Sequence, residues 1–389
     1  MRILLAPDHF GGTLSATQAV AALTRGWAVR GDDEVTGRAM SDGSVGLVDV
    51  VHAARGGELM SLTVPGALGA PMPASVLHVP GRGGGTAFVE AGQALGTPAR
   101  GRDDHLASAR DGSSAGAADL VAVALATGAR RVVVGVGHVL THDAGAGFLR
   151  ALHERLVGGR APTQVWRSIP ALREALVGTE LLVAAATDIP LLGLHGAGAA
   201  LANRDGIDPT TAQDIEGSIA ELVVAAEAMV AGLPPVRVLL LGADAEPSRR
   251  ASRLDHSGAG GGLGFALALL GARLMSGAEV VAAEVGLAEA VAAADLVVTG
   301  GEALDGDALH DGVVATVGRL AMASGIPVVA VAHELYVNRR ELAQVGISGS
   351  YQVLDTRLSH TPGAAEPEPL VPAEALAARG ARIARTWSP

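Results

Sequence analysis

Short apolar runs alternate with helical patterns along the chain. The runs that predict buried strands span residues 2–6, 59–64, 76–79, 132–134, 181–186, 236–241, 296–299 and 326–331. Helical spacing predicts helices over residues 15–29, 88–95, 117–126, 148–156, 212–230, 265–270, 313–323 and 373–385. Ser15 and Gln18 have the spacing of a capping box, and Ser113 or Ser114 is a candidate cap for the third helix. This alternation is typical of α/β layers with at least one parallel sheet.

One predicted strand leads into a polar, glycine-rich turn at residues 137–147, and a helical pattern follows. Open α/β sheets bind ligands where a strand feeds such a turn, and the N–H groups at a helix start favour anions. The turn therefore predicts a ligand-binding loop. Its candidate residues are His138, Thr141, His142, Asp143, Gly145 and Gly147.

Acidic residues recur at similar positions elsewhere. Asp8, Asp188 and Asp305 follow predicted strands, and Asp42 lies in a glycine-containing loop like Asp143. Carboxylates beside glycine turns suit Mg²⁺ and phosphate together, because Mg²⁺ takes few carboxylates plus phosphate oxygens. Any one of these Asp residues taken alone is better explained as a turn residue or a helix cap, whereas for the set together both interpretations stay open.

Composition narrows the classes of protein. With 389 residues the chain predicts two domains. It contains no cysteine, which excludes thiol catalysis, disulfides and zinc–thiolate sites, and no lysine, which excludes a P-loop. A net charge of −11 without basic runs argues against nucleic acid and anionic membranes as partners. No apolar stretch has the length of a signal peptide or a membrane span, so we expect a cytoplasmic protein.

Several motifs, in chain order, resemble the bacterial two-domain glycerate kinases. Residues 6–16 read Ala-Pro-Asp-His-Phe-Gly-Gly-Thr-Leu-Ser-Ala, where that family has Ala-Pro-Asp-Ser-Phe-Lys-Gly-Ser-Leu-Ser-Ala. The family's Asp-Gly-Gly-Glu-Gly, Asn-Asp-Gly-Gly-Ala-Gly and Gly-Ala-Ala-Gly-Gly-Leu-Gly segments are similar to residues 42–46, 142–147 and 258–264. Residues 188–193 and 295–302 resemble two further motifs, so the resemblance covers most of the chain.

The resemblance implies two α/β domains with the active site in the cleft between them. Residues 1–65 plus 285–389 would form a flavodoxin-like parallel sheet from both chain ends, and residues 66–284 an inserted α/β domain. The implied activity is ATP-dependent phosphorylation of D-glycerate or a related small hydroxy acid, with Mg²⁺. A homo-oligomer is possible.

The resemblance also implies roles for particular residues. Asp188 would be the base that takes the hydroxyl proton, and Asp42 and Asp143 would be further catalytic residues that hold Mg²⁺ or substrate. The implied substrate- or phosphate-binding residues are Asp8, Gly43, Thr141, Gly145, Gly147, Gly260, Gly261, Gly262, Thr299, Glu302 and Asp305.

The chain departs from the family's pattern at charged positions. The family's active-site lysines are missing, and the first of them is Gly11 here. His9, His138 and His142 replace smaller polar residues or glycine, and each is either a loop residue or part of a new site. Two alternatives therefore stand beside the kinase hypothesis: a catalytically degenerate paralogue that binds a metabolite or partner, and a repurposed His/Asp metal-dependent enzyme.

Overall fold

The computed structural model describes residues 1–96, 102–137, 139–202, 206–233, 250–354 and 372–388. Eleven strands lie in these ranges: β1 (Arg2–Pro7), β2 (Glu34–Gly37), β3 (Glu58–Pro65), β4 (Pro71–Val79), β5 (Thr86–Glu90), β6 (Arg131–Val136), β7 (Glu180–Ala185), β8 (Arg273–Ser276), β9 (Leu296–Leu304), β10 (Val328–Leu335) and β11 (Ile347–Gln352).

Sixteen α-helices lie in the same described ranges. They are α1 (Ala16–Trp27), α2 (Leu47–Arg55), α3 (Gly92–Leu95), α4 (Arg102–Asp111), α5 (Ala115–Ala126), α6 (Ala146–Leu156), α7 (Ile169–Ala175), α8 (Ala197–Leu201), α9 (Pro209–Val230), α10 (Ala259–Leu269), α11 (Gly277–Glu284), α12 (Leu287–Ala293), α13 (Gly306–His310), α14 (Val313–Ser324), α15 (Arg339–Gln344) and α16 (Ala373–Trp387).

The contacts divide the chain into two units. Unit 1 comprises Met1–Asp42, Asp49–Arg55 and Ala278–Pro389, and unit 2 comprises Gly43–Val48 and Gly56–Gly277. The sequence-based boundaries at residues 65 and 284 stay a prediction. The strand β3, which that division gave to the first domain, pairs with β4 and therefore lies in unit 2.

Unit 1 contains a five-stranded parallel sheet in the order β11-β10-β9-β1-β2. Counted along the unit's own strands this is the 2-1-3-4-5 order of flavodoxin-like folds, so the predicted sheet from both chain ends is confirmed. On one face α1 packs on α16, with Leu23 and Trp27 buried against Leu376 and Ile383. The Asp33 carboxylate links three parts of this unit, because it accepts hydrogen bonds from the N-terminal amine, Trp27 Nε1 and Ser388 Oγ.

Unit 2 contains a six-stranded sheet in the order β3-β4-β5-β6-β7-β8. The first three strands are antiparallel, and β5 to β8 run parallel. Its core is mostly aliphatic, as a chain with 2% aromatic residues requires. Two of the few aromatic rings, Trp166 and Phe265, meet edge to face with centroids 6.3 Å apart.

Many predicted elements are confirmed. The capping box at Ser15 and Gln18 begins α1, and the left-handed Gly325 ends α14. The strand β2, the strand β8 and the strand β11 were missed, because they have four or six residues and contain Gly, Ser, Thr or Arg. The predicted strand at 236–241 lies outside the described residues.

Two predictions about local structure are wrong. The helix expected at 88–95 is mostly the end of β5, because Phe88 and Val89 are buried between β4 and β6 and only α3 follows as a helix. The strand predicted at 296–299 is too short, because β9 keeps pairing with β10 and continues to Leu304. Glu302 therefore projects from a strand. Within the described ranges, no helix combines the length and the apolar character that crossing a membrane requires.

The closest approach of α1 to α16 requires glycine at position 26. A Cβ there would lie 2.1 Å from the backbone oxygen of Ala377, whereas a Cβ at Gly31 would meet nothing within 4 Å. We expect Gly26→Ala to lower the free energy of unfolding by about 1–3 kcal/mol, as overpacking does. Gly31→Ala is the matched control and should change it by less than about 1 kcal/mol. Urea unfolding followed by circular dichroism measures both, and equal stabilities would contradict the tight α1–α16 packing.

Candidate active site

The order of the strands in unit 1 reverses between β1 and β9, and ligands of open α/β sheets bind at the carboxyl ends of strands at such a point. Pro7 pairs with Gly300, and the amide of Asp8 donates to the Gly300 oxygen at 2.7 Å. Asp8 and His9 therefore follow β1 at the edge where β9 carries Glu302. The topology brings these three predicted side chains to one place.

Asp8 and His9 form a hydrogen-bonded pair. The Asp8 Oδ1 atom accepts from the His9 amide at 2.7 Å and from His9 Nδ1 at 2.9 Å. Burial raises the pKa of Asp8 to about 6, against the opposing effect of the His9 hydrogen bond. The hydrogen bond to Asp8 raises the pKa of His9 to about 9, with additional attraction from Asp42 and Glu302. Between these values the pair is an ion pair, and a protonated imidazole is not a metal ligand.

Gly11 lies against Glu302. A Cβ at Gly11 would lie 2.6 Å from Glu302 Oε2, and the φ of Gly11 is +54°. This is the position at which the resembled family has a lysine. Here the carboxylate of Glu302 takes the space into which a side chain at position 11 would extend.

Thr299 and Asp305 make local structural contacts. The buried Thr299 hydroxyl donates to the Ala6 oxygen at 2.9 Å, which ties β9 to β1. The Asp305 carboxylate accepts from the Ala308 amide at 2.9 Å and so caps α13. These contacts give both residues a structural role, and their role in substrate binding stays a prediction.

In unit 2, Asp143 anchors the predicted ligand loop. Its Oδ2 accepts from the Ser114 amide, the Ser114 hydroxyl and the Gly147 amide, and its Oδ1 accepts from the Gly145 amide. Ser114 is the N-cap residue of α5 but makes no side-chain cap bond, because its hydroxyl donates to Asp143. The hydroxyl of Ser113, the other predicted cap, accepts from the Ala115 amide at 3.3 Å. The carboxylate joins the starts of α5 and α6, and Oδ1 alone keeps capacity for another partner. Asp143 therefore positions this loop, and its role as a Mg²⁺ ligand stays a prediction.

Gly145 and Gly147 permit this arrangement. Gly145 has a φ of +74°, and a Cβ at Gly147 would lie 2.7 Å from Asp143 Oδ2. Gly43 is also constrained by its backbone, because its φ is +93° and a Cβ would lie 2.6 Å from the Ala184 oxygen. These glycines are explained by close packing.

Thr141 and His142 lie on the same loop. Thr141 is fully buried, and its hydroxyl has no hydrogen-bond partner among the described residues. His142 Nδ1 donates to the Leu140 oxygen at 2.8 Å. His138 lies outside the described residues.

The glycine segment, residues 258–264, packs against this loop. Gly260, Gly261 and Gly262 have φ values of +63°, +60° and +97°. The Gly260 amide donates to the Gly137 oxygen at 3.2 Å, and a Cβ at Gly261 would lie only 1.7 Å from the Thr141 oxygen. The segment therefore lets two backbones meet, and part of its predicted phosphate-binding N–H capacity is used internally.

Residues 187–192, which we call the Asp188 loop, are held by a segment far along the chain. The His256 amide donates to the backbone oxygen of Asp188, and His256 Nδ1 donates to the backbone oxygen of Thr187, each at 2.9 Å. The Ser257 hydroxyl accepts from the Leu191 amide at 2.9 Å. His256 has a φ of +70°, a strained conformation for a histidine. Sequence reasoning missed His256, since no local pattern connects it to Asp188.

A small crevice lies between these elements of unit 2. Its walls include Gly137, His142, Thr187, Ile189 and Gly260, and its volume is about 30 Å³. That space suits a water-sized group. Across the part of the chain that the structure describes, no group of three or more His, Asp or Glu side chains is arranged to hold a metal ion.

The anchoring role of Asp143 predicts a stability effect. Asp143→Ala leaves the Ser114, Gly145 and Gly147 donors without their acceptor, so we expect a loss of about 2–4 kcal/mol in the free energy of unfolding. Asp119→Ala is the control on α5. Asp119 contacts the exposed Arg155 at 2.8 Å, an ion pair worth about 0–1 kcal/mol. Chemical denaturation of both variants measures the difference, and a mild Asp143 effect would refute the anchor.

Comparisons with known proteins agree with this architecture. A family model described as "Glycerate kinase family" matches residues 3–388. A glycerate 2-kinase of Escherichia coli is 30% identical over 374 residues, which cover 91% of each chain. A glycerate kinase of Bacillus subtilis is 29% identical, covering 91% of this chain and 90% of its own. An uncharacterised Mycobacterium tuberculosis protein is 33% identical over 91% of this chain and 84% of its own.

A solved structure supports the fold. A Salmonella typhimurium LT2 protein, provisionally described as glycerate kinase 2, superposes with a TM-score of 0.68 at 23% identity. The alignment covers 99% of this chain and 98% of that one. Because the family model spans nearly the whole sequence, the chain belongs to the glycerate kinase family.

Proposed function

We propose that the protein is a kinase that transfers the γ-phosphoryl group of ATP to a hydroxyl of D-glycerate or a related small hydroxy acid. The family match over residues 3–388 carries this proposal, since relatives across that length are named glycerate kinases. In the reaction a new P–O bond forms to the substrate hydroxyl, the bond from the γ-phosphorus to ADP breaks, and the hydroxyl proton leaves.

Asp188 is the proposed proton acceptor. Two observations support it: the backbone of its loop is fixed by His256 and Ser257, and Thr187 and Ile189 on either side of it line the crevice of unit 2. A general base works best when its position is fixed before the substrate arrives.

In this proposal the other predicted residues supply charge, contact the nucleotide's metal or shape the pocket. Asp8, Asp42 and Glu302 supply the charges around His9, and Asp42 remains a proposed contact for the nucleotide's metal. The closely packed glycines Gly145, Gly147, Gly260, Gly261 and Gly262 shape the pocket together with Gly43 and Thr141. Mg²⁺ enters as part of the MgATP substrate, because it binds phosphates with few protein carboxylates.

A non-catalytic paralogue is the second candidate, and the missing lysines favour it. Lysines stabilise the charge of a phosphoryl group in transfer, and their loss removes a major contribution to catalysis. The metal-dependent enzyme is not proposed, because within the described ranges no His/Asp/Glu cluster supports it. A cytoplasmic location and a homo-oligomer stay predictions.

A coupled assay of ADP release with D-glycerate and MgATP tests the kinase proposal. We expect hydroxy-acid-dependent ADP formation by the wild type, and Asp188→Asn should lower kcat by about 10²–10⁴, the usual contribution of a general base. Asp214→Asn on the exposed face of α9 is the control and should behave as the wild type.

Circular dichroism must show both variants folded. Substrate-induced thermal stabilisation without any ADP release, even at high enzyme concentration, would favour the non-catalytic paralogue. Turnover that is unchanged in Asp188→Asn would remove Asp188 from the mechanism while leaving the kinase activity intact.

A further inference from the structure

Unit 1 contains a cavity that is lined by none of the residues discussed above as candidate site residues. It has a volume of about 320 Å³ and lies between α1, the end of β2 and α2. Small-molecule sites have volumes of about 300–1,000 Å³, whereas closed protein interiors leave few voids larger than water. The cavity is therefore large enough for one compact ligand group.

Aliphatic side chains form part of the walls of the cavity. Val20 of α1, Val50 and Ala53 of α2, and Val285 after α11 line it. Val50 and Val285 are buried, and Ala53 is exposed at the rim. Thr17 and Arg38 also line the cavity, and the aliphatic side chains beside them suit a face of a flat, weakly polar ring system.

One edge of the cavity is backbone. β2 is the outermost strand of its sheet. After β2 the chain continues beside β1, because the backbone amides of Arg38 and Met40 donate to the backbone oxygens of Leu5 and Pro7. Backbone groups alternate in direction along such a strand, so those of Ala39, which lines the cavity, point away from β1. Ala39 thus offers a neighbouring N–H donor and C=O acceptor at the open edge.

The cavity lies at the ligand-binding edge of unit 1. Ala39 immediately precedes Met40, whose amide bonds to the last residue of β1, directly before Asp8. Arg38, also at the cavity, is exposed and places a positive charge there in a chain of net charge −11. A cavity with aliphatic side chains, an edge donor–acceptor pair and a guanidinium is complementary to a heteroaromatic base attached to an anionic phosphate chain.

We propose that this cavity binds the base of the nucleoside triphosphate, with Ala39 contacting the ring edge and Arg38 the phosphate side. The inference rests on the proposed kinase function for the identity of the nucleotide. It assigns nucleotide affinity to α1, β2 and α2, and it gives the hydroxy acid no contact in this cavity.

Filling the cavity from its rim tests the proposal. Ala53→Trp places an indole at an exposed helix position, so the core of unit 1 stays intact. We expect the KM for ATP and the calorimetric Kd for ADP to rise about tenfold or more, as expected when the contacts of a whole ring are lost. The KM for D-glycerate should stay within twofold. Ala21→Trp, on the exposed face of α1 outside the cavity, is the matched control and should behave as the wild type.

Arg38→Gln provides a second measurement. ADP affinity should fall in this variant, whereas the affinity for adenosine, which has no phosphate, should not change. Wild-type affinity for ADP in a folded Ala53→Trp variant, or equal weakening in Ala21→Trp, would overturn the proposal.

Calorimetry separates this inference from the proposed function. If the wild type shows no turnover but binds ADP, and Ala53→Trp abolishes binding, the cavity proposal stands while the kinase proposal fails. If the wild type turns over D-glycerate and Ala53→Trp keeps the wild-type KM for ATP, the cavity proposal fails alone. Absence of ADP binding to the wild type overturns it as well.

Discussion

The pairing of β1 with β9 is the constraint on which unit 1 depends. It joins residues 293 positions apart, as the hydrogen bond from Thr299 to Ala6 shows, and it closes the sheet from both chain ends. Because the strand order reverses here, the side chains after β1 meet those at the end of β9. A shift of one residue in this register would turn Glu302 to the opposite face, away from Gly11. The strand topology therefore brings the charged residues Asp8, His9 and Glu302 together.

Unit 2 depends on close contact between backbones. The glycine segment reaches the loop at 137–147 so closely that a Cβ at Gly261 has no space, and the Ala144 amide donates to the Gly261 oxygen at 3.1 Å. Among the described residues, Ala144 and His256 are the non-glycine residues with positive φ; Ala144 lies at this contact, and His256 bonds to the Asp188 loop. Such a conformation costs about 1–3 kcal/mol, which surrounding hydrogen bonds must offset. The two strained residues therefore lie where unit 2 holds the loop at 137–147 and the Asp188 loop.

Local chemistry explains which features the sequence could predict. The capping box of α1 and the Gly325 end of α14 are encoded within a few residues, and both are confirmed. Tertiary partners decided the rest. Ser114 is of a residue type that commonly caps helices, but its side chain bonds to Asp143. The strand β9 continues past Thr299 because β10 pairs with it. His256 fixes a loop 69 positions earlier, and nothing within its own segment indicates that contact.

The absence of a lysine at position 11 changes the charges at this edge of unit 1. Gly11 leaves room for the Glu302 carboxylate, so position 11 has no cation and faces a carboxylate. His9 carries the compensating charge, held by Asp8, with Asp42 and Glu302 also attracting it. One imidazolium beside three carboxylates leaves this edge net negative, which disfavours a bare phosphate but favours a phosphate that arrives with a divalent cation. Apart from histidine, any positive side chain that meets an anion at this edge is an arginine, because the chain contains no lysine.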